Sequence, residues 1–194
     1  MEFTQKQNIQ TISVLLFLAV ITQAIYTALY VAANDLPRTW LWGIEGLLFV
    51  LMAAVAGSAL AQTKDFTLVF SAIFASAILN IVQVGIGLTQ FGPFYEAAGA
   101  VEGLKPAAGS VVALSFFIYN AAKILLGIAA VAVGMGISEA SKGLGRLTVF
   151  VGGIAIITNT IVMMFGRIEA VPSGATGVVA TLLLAVCLLK LKSD

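Results

Sequence analysis

A membrane-spanning helix needs about 20 consecutive, mostly apolar residues, and this chain offers six such runs, at roughly 9–33, 39–61, 66–90, 109–137, 147–166 and 175–191. A soluble protein built on these runs is excluded by the remaining residues. Only 10% of the chain is charged against 60% hydrophobic, whereas soluble domains carry about 25% charged residues. The expected fold is therefore all-α: a polytopic membrane protein of six transmembrane helices in one domain spanning 1–194, with the lipid bilayer as its first partner.

The separators are short and carry turn residues and charge: "NDLPR" at 34–38, "QTKD" at 62–65, "SEASKGLGR" at 138–146 and "RIEAVPSG" at 167–174. Lys and Arg concentrate in the cytoplasmic loops of membrane proteins. One side would hold Lys6, Lys64, Lys142, Arg146, Lys190 and Lys192, and the other Arg38, Lys105 and Arg167. Six against three places both termini in the cytoplasm, and Trp40 and Trp42 then sit at the outer interface, where indole rings anchor. The apolar run that follows "MEFTQKQNIQ" is too long for a signal-peptide core, so the first helix is expected to be retained. The longest connection, "FGPFYEAAGAVEGLKPAAG" at 91–109, reads either as an amphipathic loop or as a partial lid over the outer mouth.

Several classes of chemistry lack their residues. There is no histidine, which removes bis-histidine haem, histidine metal sites and histidine acid–base catalysis. The single cysteine, Cys187, allows no internal disulfide. A net charge of +1 leaves no basic footprint for nucleic acid. No nucleophile stands beside a base, and no phosphate-binding glycine loop is present. Neither an enzyme nor a cofactor is expected.

What remains is a set of polar residues inside the apolar runs. On the fourth run Tyr119, Asn120 and Lys123 share a stripe with Gly127, Ala130 and Gly134; on the third, Ser76, Asn80, Gln83, Gly87 and Gln90 do so. The first run carries Gln23, Thr27, Tyr30 and Asn34, the fifth Thr148, Gly152, Ala155 and Asn159, and the second Glu45. At about 1.5 Å per residue, Asn159 lies roughly 18 Å from the cytoplasmic end, Gln23, Asn80 and Lys123 roughly 21 Å, and Glu45 roughly 24 Å. Five helices thus place polar groups in one layer. A lysine at helix centre costs about 2.5–3.5 kcal/mol on insertion scales. Lys123 is accordingly expected to face inward, paired with Glu45 or with carbonyl oxygens. Glu45, Asn80, Gln83, Tyr119, Asn120 and Lys123 are the candidate ligand-binding residues, and the glycines are expected to serve close helix packing.

The segment beginning at Glu45, "EGLLFVLMAAVAGSALAQTKDFTLVFSAIFASAILNIV", parallels that beginning at Lys123, "KILLGIAAVAVGMGISEASKGLGRLTVFVGGIAIITNTIV". Each has a charge before a Leu-Leu pair, a small-residue run, a charged loop and a late asparagine, Asn80 or Asn159. This fits a parallel repeat of helices 2–3 and 4–5 about an axis along the membrane normal. The layout, and above all "FFIYNAAKILLGIAAVAVGMGISEASKGLGRLTVFVGG", loosely resembles small six-helix bacterial inner-membrane proteins of unknown function. That resemblance implies the same membrane and carries no activity.

Three functional expectations follow. The first is a small transport or solute-binding protein with a small-molecule or ion ligand at the polar layer. The second is a non-catalytic accessory or scaffold subunit, with a membrane-protein partner or a second copy of itself. The third is a binder of lipid, quinone or pigment between helices.

Overall fold

The computed structural model describes residues 3–32, 39–63, 65–166, 168 and 170–191. Asn34, Arg38, Lys64, Arg167 and Lys192, which entered the polar-stripe and charge arguments, lie outside the described residues, as does the 34–38 separator. The described residues form α1 Gln5–Val31, α2 Thr39–Gln62, α3 Thr67–Thr89, α4 Phe91–Ala100, α5 Lys105–Ile137, α6 Lys142–Phe165 and α7 Ser173–Leu188, with one 3-10 turn at Glu102–Leu104 and no strand.

Five helical stretches are long and apolar enough to cross a membrane, namely Gln5–Val31, Thr39–Gln62, Thr67–Ala100, Glu102–Ile137 and Lys142–Phe165; the sixth apolar helix, α7, has 16 residues. Large apolar side chains such as Leu47, Phe117, Phe150, Met164 and Phe165 cover the outside of the bundle. Such a surface is compatible with lipid and unfavourable in water.

Local chemistry sets the helix ends. The backbone N–H of Thr4 donates to Gln7 Oε1 at 2.9 Å and that of Gln7 to Thr4 Oγ1 at 3.3 Å, a reciprocal capping box that satisfies orphan donors of α1. Pro106 in the first turn of α5 needs no N–H partner. Gly166, at φ +78°, turns the chain out of α6 through a conformation that glycine adopts without strain. The 91–109 segment is not a loop: α4 occupies Phe91–Ala100, separated from α3 by Gln90 alone.

Consecutive long helices alternate in direction. The contacts α1 with α2, α2 with α3, α3 with α5, α5 with α7 and α7 with α1 close a five-helix ring, and α6 packs outside it on α5 and α7. The core runs along the ring, from Ile12 and Leu16 through Met52, Phe70 and Ile73 to Val133 and Leu184, all nearly inaccessible. Lys6, Lys142, Arg146 and Lys190 gather at one end of the bundle, and Lys105 stands at the other.

The tightest joint is α5 against α6. A Cβ on Gly127 would stand 3.1 Å from Gly152 O, one on Gly152 3.0 Å from Gly127 O, and one on Gly134 2.9 Å from Gly145 O. Two pairs of glycines seven residues apart therefore let the backbones touch, as close membrane-helix packing requires. The positions that the sequence parallel assigns to Gly127 and Gly152 are Phe49 and Ile73, both buried, so α2 and α3 pack through large side chains instead.

Candidate functional site: a buried lysine and its polar layer

Lys123 projects from the middle of α5 into the ring and is 1% exposed. Its stem lies on Gly177 of α7, where a Cβ would meet Lys123 Cδ at 3.0 Å and Cγ at 3.1 Å. Its Nζ crosses to α1 and donates to Gln23 Oε1 at 2.8 Å, and stands 5.2 Å from the centroid of the Tyr119 ring, within cation–π range. Gln23 is its one hydrogen-bond acceptor among the described residues, although an ammonium has three donors.

Glu45 of α2 is also buried. Its Oε1 accepts from Thr22 Oγ1 of α1 at 2.9 Å. The expected direct pair of Glu45 with Lys123 does not form: the salt bridge found among the described residues is Lys105 with Glu102, 3.3 Å apart and at the surface. Each is held instead by one of two adjacent residues of α1, Glu45 by Thr22 and Lys123 by Gln23. Thr22 faces α2 while Gln23 faces α5, because successive helical side chains point about 100° apart.

The other candidate residues separate into two groups. Asn80 donates to Ser76 O at 2.9 Å, and Ser76 Oγ donates to Ala122 O at 3.0 Å, so this pair reaches the α5 backbone beside Lys123. Gln83 bonds Ser115 Oγ at 3.2 Å. Ser115 stands eight residues before Lys123, about 12 Å away along α5, which places Gln83 outside the lysine cluster.

Asn120 and Asn159 belong together. The glycine seam pairs Gly127 with Gly152 and Gly134 with Gly145, and the same antiparallel register carried seven residues further sets Asn120 opposite Asn159. Asn120 Nδ2 donates to Phe116 O at 2.6 Å, and Asn159 Nδ2 to Ala155 O at 2.8 Å and to Ser173 O at 3.3 Å. Both residues are at most 1% exposed, and both Oδ1 atoms are buried without a hydrogen-bond partner. Asn8 Oδ1, towards the other end of the bundle, is in the same state, and buried acceptors of this kind accept from an ordered water or from a bound donor.

The start of α7 completes the layer. Ser173 is held at Asn159, six residues before α6 ends at Phe165, so α7 begins about 9 Å below the level where α6 ends. No side chain caps its first turn. Gly174 and Ala175 are exposed, and Gly177 is buried beneath Lys123. The Thr158 and Thr176 hydroxyls, 2.7 Å apart, fasten this start to α6. Because α5 and α7 both run antiparallel to α6, Asn120 lies level with the first turn of α7.

Around one bundle end Tyr26, Trp42, Phe91 and Tyr95 form a continuous aromatic chain with centroid spacings of 5.9, 5.6 and 6.2 Å. It ties α4, which packs on α3 and α5, to Trp42 of α2. Trp42 thus serves as a packing residue, with its ring 3.1 Å from where a Cβ on Gly87 would lie, while Trp40 is exposed.

Gln23 and Asn159 were visible in the sequence as members of the polar layer. Thr22 and Gly177 were not singled out, because a threonine or glycine in a membrane helix is ordinary until its neighbour is known. Among the described residues no group of three or more acidic, cysteine or histidine side chains is placed to hold a metal ion. Compared with known proteins, the chain matches no family model, no curated protein and no solved structure.

Proposed function

We propose that this chain is a small integral membrane transport or solute-binding protein whose site is the layer around Lys123, Gln23 and Glu45. The observation that carries this reading is the state of Lys123: an ammonium 1% exposed, held by one neutral hydrogen bond, with donor capacity left over. Helix-centre ammonium groups are costly and are retained where they meet a solute, an ion or a proton. The recessed, uncapped start of α7 supports the same reading. Interrupted helices beginning inside a bundle point their positive ends at anionic groups.

In this reading α7 is the sixth span, short enough that Lys190 reaches the interface by extending along its stem. The Lys and Arg bias of the loops supports an orientation with both termini cytoplasmic, in a bacterial inner membrane. The matching back-bonds of Asn80 to Ser76 and Asn159 to Ala155 support relating helices α2–α3 and α5–α6 as repeats. The ligand is a small molecule or ion.

The test is uptake in proteoliposomes by the wild type and by Lys123→Met and Glu45→Gln. Flux lost with the fold retained supports the reading, and unchanged flux and ligand binding in both variants overturn it. The complete enclosure of Lys123 favours a second reading, in which the layer fixes helix register within an accessory subunit. Co-purification of a stoichiometric membrane partner, with flux indifferent to Lys123, would select that reading.

A further inference from the structure

The layer presents two opposite chemical demands a turn apart. Lys123 has donors in excess, and in the first turn of α7, where Ser173 N–H and Thr176 N–H bond to Val171 O and Pro172 O, no side chain caps the N–H groups of Gly174 and Ala175. Asn120 and Asn159 present buried Oδ1 acceptors with no donor. A simple cation at the two amide oxygens would sit about one turn, roughly 5 Å along α5, from a positive charge. A simple anion at Lys123 would leave the amide oxygens unsatisfied, which is costly for buried acceptors. A small solute bearing both charges meets both demands.

We propose that the site takes a zwitterion of the α-amino-acid type. Its carboxylate is held by Lys123 Nζ and the first turn of α7, and its ammonium by Asn120 Oδ1 and Asn159 Oδ1. Gly174 leaves the approach clear, since a Cβ there would meet nothing within 4 Å. Gly177 lets the stem of Lys123 lie directly on α7, one turn beyond its start. This proposal rests on the solute-binding reading of Lys123 and specifies its ligand.

The test uses the full-length protein purified in detergent. The twenty proteinogenic L-amino acids, acetate and methylammonium are each titrated while melting temperature is followed. At least one amino acid is expected to stabilise the protein with an affinity about tenfold or more above that of acetate, a difference of about 1.4 kcal/mol. Asn120→Leu and Asn159→Leu should each remove that advantage and leave acetate binding in place, whereas Lys123→Met should abolish both. Asn120→Ser and Asn159→Ser, smaller and polar, serve where a leucine variant does not fold.

Acetate binding as tightly as every amino acid, or amino-acid affinity unaltered in the asparagine variants, overturns the zwitterion; acetate binding lost in Lys123→Met then leaves the anion-binding reading standing. Absence of any probe binding that depends on Lys123 overturns both.

Discussion

Gly177 and the stem of Lys123 occupy adjoining space: a Cβ at position 177 would stand 3.0 Å from Lys123 Cδ. The lysine has little freedom to move aside, because its Nζ is bound 2.8 Å from Gln23 Oε1 on the opposite helix. Gly177→Val should therefore destabilise the fold by about 1–3 kcal/mol through overpacking, read as a lower melting temperature in detergent. In a Lys123→Ala background the same change should cost clearly less. Strict additivity of the two changes would show that the space is not shared.

The α5–α6 seam makes a sharper prediction. A Cβ on Gly145 would lie 2.6 Å from Ser138 Oγ and 2.7 Å from Gly134 O, while one on Gly143 or Gly153 would meet nothing within 4 Å. Gly145→Ala should consequently cost about 2 kcal/mol or more, because a backbone must shift. Gly143→Ala and Gly153→Ala should be neutral or stabilising by up to about 1 kcal/mol from helix propensity. Thermal unfolding of the three variants side by side checks the ordering.

Removing the acceptor should hurt more than removing the interaction. Gln23→Leu leaves the buried ammonium without its hydrogen bond, at a cost of about 1–3 kcal/mol or more for a charged group. Gln23→Leu combined with Lys123→Met replaces both partners by apolar groups and should recover much of that loss. A double variant no more stable than Gln23→Leu alone would mean that the ammonium is satisfied elsewhere.

Cys187 is fully buried, with its Sγ 3.1 Å from Thr148 Oγ1. A membrane-permeant maleimide should leave it unmodified in the folded protein and label it completely after unfolding in sodium dodecyl sulfate. Thr148→Ala should cost about 1 kcal/mol, the value of one ordinary hydrogen bond.

Most of the helices were legible from apolar run length, with boundaries displaced by a few residues. The start of α6 at Lys142 rather than 147 is one such shift: charged residues in a first turn extend past the apolar layer. The segment 91–109 was misread because Gly92, Pro93 and Pro106 signal turns, yet proline near a helix start sacrifices no hydrogen bond and leaves α4 and α5 intact. The inward placement of Lys123 was legible from desolvation cost. Its partner was not, since the choice of Gln23 over Glu45 depends on the ring closing α7 onto α1, and run length carries no information on which helices become neighbours. The recessed start of α7 escaped for the same reason, as its depth is set by the Asn159–Ser173 contact between helices.

Transport or solute binding at Lys123, which is 1% exposed, requires the layer to open to water in operation. Asn120→Cys, placed in a Cys187→Ala background and assayed in membrane vesicles with a negatively charged, water-soluble methanethiosulfonate reagent, reads that opening directly. Modification at a measurable rate is expected, slowed by Lys123→Met, which removes the charge that draws the reagent in. No modification over hours in the folded protein, with complete modification once it is unfolded, would contradict it and leave the layer a device for holding helices in register.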